Sequence, residues 1–229
     1  MTFLPTLNRE NVLLYVFWGL TGLLFYARVT DLVSLNFILT PLLPIVLIFE
    51  YHRKVGEDQT LYFSFIFCML GDLMTISSDF YNFTSGLIAY WGASILFNFS
   101  LSRELQTPFK IAIKKPVFFL PFLLYGVYCI IIMVFIRPFL GALFIPILIY
   151  GLTLSLTCAM GLGVYFQERT IPRKHFATGL IVLSATASLI GINRFYLKSD
   201  FLYGVETLLY APTLFFIFMY YKTKPSRVL

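Results

Sequence analysis

Long apolar stretches separated by short polar breaks dominate the pattern of this chain. A membrane-spanning helix needs about 20 mostly apolar residues, and eight stretches approach or exceed that length. The predicted spans are residues 11–27, 32–50, 60–77, 83–101, 117–136, 140–165, 176–192 and 201–221. Two breaks predict tight turns: Ser78–Asn82 between spans three and four, and the region of Arg137 and Pro138 between spans five and six.

The apolar runs are continuous, whereas strands of a transmembrane barrel alternate apolar and polar residues over about 10 positions. The pattern therefore predicts an all-α fold, a polytopic membrane helix bundle of about eight spans. No linker, low-complexity segment or soluble domain interrupts it, so we expect residues 1–229 to form a single integral-membrane domain.

Composition supports the membrane assignment. The chain is 59% hydrophobic and 12% charged, whereas a typical soluble domain is about 25% charged. We therefore expect a multi-pass protein of the cell membrane, which in a bacterium would be the inner membrane. The oligomeric state stays open.

The basic residues predict the orientation. With eight spans, 13 of the 17 lysines and arginines fall on the side that holds both termini, and 4 fall on the other side, namely Arg28, Arg137, Arg194 and Lys198. Basic residues accumulate on the cytoplasmic side of membrane proteins, so both termini are predicted to be cytoplasmic. The same rule explains the net charge of +6. Because no long basic run is present, nucleic-acid binding is not expected.

The residues that commonly bind metals are scattered. The three cysteines lie in different spans, and the two histidines lie among basic residues at span ends. No zinc-type spacing, phosphate-binding glycine loop or dinucleotide-binding glycine pattern is present. We therefore predict no metal and no cofactor.

Two carboxylates are exceptions in this apolar chain. Asp72 lies inside the stretch FCMLGDLMTISSDF, and Glu206 lies about one turn inside the last span. An aspartate at a helix centre costs roughly 2.5–3.5 kcal/mol on insertion scales, so it normally faces the bundle interior and marks a functional site. The predicted topology places Asn36, Asn193 and Arg194 at the same depth, in the outer half of the membrane.

Two interpretations of this polar group remain open. Arg194 and a carboxylate could form a structural clasp between helices, or the group could bind a substrate. The sequence cannot choose between them, because it does not show whether these side chains converge laterally.

The order of several short motifs resembles the YhhN and lysoplasmalogenase-like family of eight-span membrane proteins, over nearly the whole chain. The matching stretches are LTPLLPIVL (39–47), LGDLMTI (70–76), GLIAYWGASILF (86–97), YGLTLSLTCAM (150–160), GLIVLSATASLIGINRF (179–195) and TLLYAPTLFF (207–216). The resemblance implies a hydrolase of lipid metabolism that cleaves the vinyl ether of lysoplasmalogens, releasing a fatty aldehyde and a glycerophospho-headgroup.

The resemblance also implies site residues. Vinyl-ether hydrolysis requires protonation at carbon and then water addition, and a general acid with a second carboxylate suits that work. The family's candidates are an aspartate in a Gly-Asp pair and an aspartate in a Ser-Asp pair. Gly71 and Asp72 match the first pair. The second pair reads Ser184–Ala185, so we expect Glu206 to supply the other carboxylate.

Other polar positions of the family also differ in this chain: its histidine falls on Ser94, its tyrosine on Phe97, its lysine on Thr40, and its Ala-Gln on Ala211–Pro212. We expect Gly71, Ser94, Ser184, Asn193 and Arg194 to bind the substrate, a membrane lipid or lysophospholipid. The alternative is a non-catalytic relative with a lipid-binding or structural role in the membrane. A transporter is a weaker alternative, because no internal repeat is visible.

Overall fold

The computed structural model of the chain describes residues 12–54, 58–76, 79–105, 108–112 and 114–224. Within these ranges the regular elements are all helical. The helices are α1 (Val12–Val29), α2 (Val33–Leu39), α3 (Leu42–Lys54), α4 (Gln59–Ile76), α5 (Phe80–Ser102), α6 (Phe109–Ala112), α7 (Pro116–Leu140), α8 (Phe144–Gln167), α9 (Ile171–Ile192) and α10 (Asp200–Thr223). A 3₁₀ turn, Gly141–Leu143, joins α7 to α8, and a π-helical turn, Asn193–Leu197, follows α9.

Each predicted span coincides with helix, and the second span is divided between α2 and α3 at Thr40 and Pro41. The turn predicted at Arg137 and Pro138 is wrong, because both residues lie inside α7. A proline is tolerated within an apolar helix in a membrane. The chain reverses three residues later at Gly141, whose φ of 50° favours glycine.

Six stretches of the described residues are long and apolar enough to cross a membrane. They are Val12–Val29, Val33–Arg53, Gln59–Ile76, Pro116–Gln167, Ile171–Leu197 and Asp200–Thr223. The stretch of 52 residues contains both α7 and α8. Helix α5, with its several Asn, Ser and Thr residues, is not among the six. The chain is thus a helical, membrane-type protein, whereas the count of eight spans and the orientation stay predictions. The chain ends, residues 1–11 and 225–229, lie outside the described residues.

Glycines allow α4 and α5 to pack closely. A Cβ atom on Gly86 would lie 2.6 Å from Thr75 Cγ2 and 3.1 Å from the Gly71 carbonyl oxygen. Small residues at a helix interface are the usual means of close approach in membranes. This contact fixes α5 beside the polar residues of α4.

One side chain organises the turn between α9 and α10. The Asn193 amide donates to the Ser199 carbonyl oxygen (3.1 Å), and its Oδ1 accepts from the Ser199 N–H (2.8 Å). Lys198 between them has a φ of 54°, and Ser199 caps the N-terminus of α10. The turn therefore sets the register between the two helices.

At the opposite end of the bundle, Glu104 joins three elements. It pairs with Arg173 at the start of α9 (3.3 Å) and with Lys224 after α10 (2.9 Å), and it accepts a hydrogen bond from Tyr220 (3.3 Å). Burial raises the pKa of the Glu104 carboxyl, but the hydrogen bonds and charges of Lys224 and Arg173 outweigh burial and hold that pKa below its usual value.

Candidate functional site

A cavity of about 350 Å³ runs between α4, α5, α8, α9 and α10. At one end it is lined by Arg28 in the last turn of α1, by Arg194 and Lys198 after α9, and by Asp200 at the start of α10. We call this end the mouth. Phe83 and Phe97 both line the cavity and are fourteen residues apart on α5, which corresponds to about 21 Å along the helix. The cavity is therefore long and narrow, and its volume falls at the lower end of the range for ligand pockets, about 300–1,000 Å³.

Asp72 lies in the wall of this cavity and is only 5% exposed. Its Oδ1 accepts a hydrogen bond from the Tyr90 hydroxyl of α5, and its Oδ2 accepts one from the Tyr210 hydroxyl of α10 (3.0 Å). A buried carboxyl group is tolerated when its oxygens are hydrogen-bonded. The two tyrosines thus tie three helices together at Asp72.

Gly71 is not part of the cavity wall, and it serves the site indirectly. A Cβ atom at this position would lie 2.8 Å from ring carbons of Tyr90. Because carbon atoms pack at about 3.5–4.0 Å, only glycine lets the Tyr90 ring lie where its hydroxyl reaches Asp72.

Glu206 lines the same cavity, six residues after the start of α10, and is 3% exposed. Its Oε1 accepts a hydrogen bond from the Asn193 amide (3.0 Å). Tyr203, Glu206 and Tyr210 recur at helical spacing, so one face of α10 supplies all three to the cavity. The structure therefore brings the two predicted carboxylates into one cavity.

Arg194 does join two helices, but through a backbone oxygen. Its Nη1 donates to the Thr75 carbonyl oxygen near the end of α4 (2.8 Å), and its guanidinium lies over the Phe83 ring, 4.0 Å from the centroid. Neither Asp72 nor Glu206 forms an ion pair with any residue that the structure describes. The hypothesis of an Arg194–carboxylate clasp is therefore wrong for these residues.

A second arginine belongs to the site. Arg28 Nε donates to Asn36 Oδ1 (3.3 Å), and the guanidinium lies 4.4 Å from the centre of the Tyr203 ring. The Asn36 amide in turn donates to the Tyr203 hydroxyl (3.1 Å). Asn36 was expected at this depth, and it acts by positioning residues that line the cavity.

The two predicted serines lie in different places. Ser94 lines the cavity, with its hydroxyl donating to the Tyr90 carbonyl oxygen (3.0 Å). Ser184 instead lines a smaller cavity of about 80 Å³ beside Tyr128 and Ser188, and its hydroxyl donates to the Ile181 carbonyl oxygen (2.8 Å). The prediction that Ser184 is part of the main site does not fit this placement.

The position of the family's second aspartate faces away from the cavity. Leu183, Thr186, Ala187 and Ile190 line it from α9 at intervals of three and four residues, whereas Ala185 is exposed on the other side of that helix. A carboxylate at position 185 would therefore not reach the cavity of this chain.

Sequence reasoning missed Arg28 and three tyrosines, Tyr90, Tyr203 and Tyr210. None of these tyrosines was singled out from the sequence, although Tyr90 and Tyr210 lie well inside their helices. A buried tyrosine hydroxyl usually has a hydrogen-bond partner, so a mid-span tyrosine was a usable signal.

Among the described residues no group of three or more His, Cys, Asp or Glu side chains could hold a metal ion. The arrangement instead offers two carboxylates, each bonded to neutral donors, below a mouth with three basic side chains. Such a site can exchange protons with a ligand and hold it by charge.

Comparison with known proteins gives one match. The model described as the YhhN family matches residues 33–221, which is most of the chain. No curated protein and no solved structure matches the chain.

Proposed function

Because this chain belongs to the YhhN family, we propose that it is a membrane hydrolase that cleaves the vinyl-ether bond of lysoplasmalogen-type lipids. The observation that carries the proposal is the presence of Asp72 and Glu206 in one long, mostly apolar cavity within a membrane-type helix bundle. A carboxylic acid that protonates carbon, with a second carboxylate in the same cavity, suits this reaction.

The reaction requires a proton on carbon before water can add. In the proposed mechanism protonated Asp72 gives its proton to the vinyl carbon distant from the ether oxygen, and the carbon–carbon double bond supplies the electron pair. The positive charge then lies on the carbon bonded to oxygen. The Asp72 carboxylate that forms stabilises this charge in a medium of low dielectric constant.

Glu206 acts in the second half of the reaction. It accepts a proton from the water that attacks the positively charged carbon, and it returns that proton to the ether oxygen as the carbon–oxygen bond breaks. The hydroxyl proton of the hemiacetal passes back to Asp72 as the aldehyde forms. One water is consumed, an aldehyde and an alcohol are released, and no redox partner is needed.

A second candidate is a lipid-binding protein that uses the same cavity without chemistry. The observation in its favour is that both Asp72 oxygens already accept hydrogen bonds from tyrosines. In that case Asp72 holds α4, α5 and α10 together and does not transfer a proton.

The substitution Asp72→Asn separates the two candidates. Asparagine has the shape of aspartate and can still bond both tyrosines, but it cannot act as the acid. The purified protein is incubated with a lysoplasmalogen, and aldehyde release is measured beside thermal unfolding in the same detergent. We expect aldehyde release to fall by at least about 100-fold, since general acid–base catalysis typically contributes 10²–10⁴-fold, with little change in Tm.

Asp31→Asn is the matched control. Asp31 is an exposed turn residue with a φ of 51°, a conformation that asparagine also tolerates, and it does not line the cavity. Its activity should equal that of the parent. A parent protein without aldehyde release, combined with a lower Tm for Asp72→Asn, would favour the binding role instead.

A further inference from the structure

The basic residues of the predicted outer side are not spread evenly. Four basic residues fall on that side of the predicted topology, and three of them, Arg28, Arg194 and Lys198, line the mouth of one cavity. The positive-inside rule makes such residues scarce on this side. Their convergence at the mouth therefore indicates a functional role for positive charge there, which the general charge bias of the chain does not explain.

The protein positions the Arg28 guanidinium but leaves part of its hydrogen-bonding capacity unused. Only its Nε bonds a protein acceptor, Asn36 Oδ1, and its guanidinium plane rests on Tyr203. Among the residues that the structure describes, none accepts a hydrogen bond from its two terminal nitrogens, and none forms an ion pair with it. A planar guanidinium with its outer edge open matches the two oxygens of a phosphate or carboxylate.

Lys198 adds a second cation at the mouth. It is exposed, and its left-handed backbone conformation (φ 54°) follows from the turn that Asn193 organises. Arg194 contributes a third positive charge there. Among the residues that line the mouth Asp200 is the acidic one, while Asp31 and Asp79 lie outside the lining and Glu206 lies about 9 Å further along α10. The mouth is therefore more positive than the interior of the cavity.

The remainder of the cavity has the opposite character. Beyond Asp72, its walls include Phe97, Ala93 and Leu183. A ligand that fits both ends has a charged group at the mouth and an apolar chain beyond the carboxylates. The junction between the two parts then lies beside Glu206 and Asp72.

We propose that Arg28 and Lys198 form a subsite for a phosphate or similar anionic group of a single-chain amphiphile, whose chain occupies the apolar part of the cavity. This inference deepens the proposed function, on which it rests for the chemistry at the junction. The binding itself does not depend on hydrolysis.

The test measures binding of a ligand that cannot react. The full-length protein is reconstituted in nanodiscs of zwitterionic lipid, and retention of tritiated dodecyl phosphate is measured by scintillation proximity. Unlabelled dodecyl phosphate, dodecyl glucoside and inorganic phosphate compete in separate series. We expect dodecyl phosphate to compete, dodecyl glucoside to compete at least about tenfold more weakly, and inorganic phosphate alone to compete weakest.

The variants are Arg28→Gln, Lys198→Gln and their combination. Each single change should weaken binding of dodecyl phosphate by about tenfold, the loss of one charge-assisted contact. Arg137→Gln is the control, because Arg137 is the fourth basic residue of the predicted outer side, is exposed, and lies outside the cavity. Its affinity should stay within about twofold of the parent. Since Lys198 is exposed, its variant tests the proposal even where Arg28→Gln folds poorly.

Two results would overturn the inference: equal affinity of the parent and the double variant for dodecyl phosphate, or equally strong competition by dodecyl glucoside. Inorganic phosphate competing as well as dodecyl phosphate would overturn the assignment to an amphiphile and indicate a free anion. Because the probe has no vinyl ether, charge-dependent binding without aldehyde release would refute only the hydrolase proposal, and aldehyde release without charge-dependent binding would refute only the subsite.

Discussion

The substitution Gly71→Ala tests whether the close contact between α4 and α5 holds the site together. The added methyl group would lie 2.8 Å from two carbons of the Tyr90 ring. To reach an ordinary contact of about 3.5 Å, the ring must move by roughly 0.7 Å. Tyr90 donates a hydrogen bond to Asp72, so this movement strains or breaks that bond.

Three effects determine how much Gly71→Ala changes the free energy of unfolding. Overpacking costs about 1–3 kcal/mol, and loss of a hydrogen bond to a carboxylate costs about 1.5–3 kcal/mol. The better helix propensity of alanine returns up to about 1 kcal/mol. We therefore expect Gly71→Ala to lower the free energy of unfolding by about 2–4 kcal/mol, which corresponds to a fall in Tm of about 4–16 °C for a chain of this size.

The chain provides its own reporter for the assay. Cys68, Cys129 and Cys158 are all free and buried, so a thiol-reactive fluorogenic dye signals unfolding in detergent. Gly126→Ala is the matched control, because a Cβ atom there would meet nothing within 4 Å. Its Tm should equal or slightly exceed that of the parent.

A double-mutant cycle with Tyr90→Phe shows whether the cost passes through the hydrogen bond. If it does, adding Tyr90→Phe to Gly71→Ala should cost much less than Tyr90→Phe alone. An unchanged Tm for Gly71→Ala, or strictly additive effects of the two substitutions, would refute this reasoning.

Three further predictions concern charge. The pKa of Glu104 is held below its usual value. Its contribution to stability is therefore complete above about pH 4.5 and is lost as the pH falls through the lowered pKa. Tm should decline on acidification, and Glu104→Gln should flatten that decline. Arg194→Ala should lower Tm because the Thr75 carbonyl oxygen loses its hydrogen-bond donor. A second substitution, of Asp72 or Glu206, should not restore Tm. A restored Tm would instead support an ion pair between Arg194 and that carboxylate. Reporter fusions should place both termini in the cytoplasm, and an outer signal from either terminus would refute the topology.

The helices were predictable from sequence, and a shared level for several polar residues was expected. Apolar runs set the lengths of the spans, and position within a span gives approximate depth. Asp72, Glu206, Asn193 and Arg194 were therefore expected at one level, and four side chains from three segments of the chain do line one cavity. The hydrophobic pattern is informative here because the membrane acts as a layered solvent.

The rotation of each helix was not predictable in the same way. A helix surrounded by other helices and by lipid is apolar on all sides, so its sequence does not show which face turns inward. Ser184 was assigned to the main site through the family's Ser-Asp pair, and nothing in the sequence indicated that it faces a different cavity. The partners of Asp72 were missed for a related reason: Tyr90 and Tyr210 come from helices whose neighbours are known only after packing.

The outward position of Ala185 has a consequence for how a missing motif residue is interpreted in this chain. A side chain on the exposed side of α9 does not contact a ligand in the cavity, so an alanine at this position leaves the cavity unchanged. The residues through which α9 can contact a ligand directly are those that line the cavity: Leu183, Thr186, Ala187 and Ile190. Any activity of this chain is therefore better judged from the residues that line its cavity than from position 185.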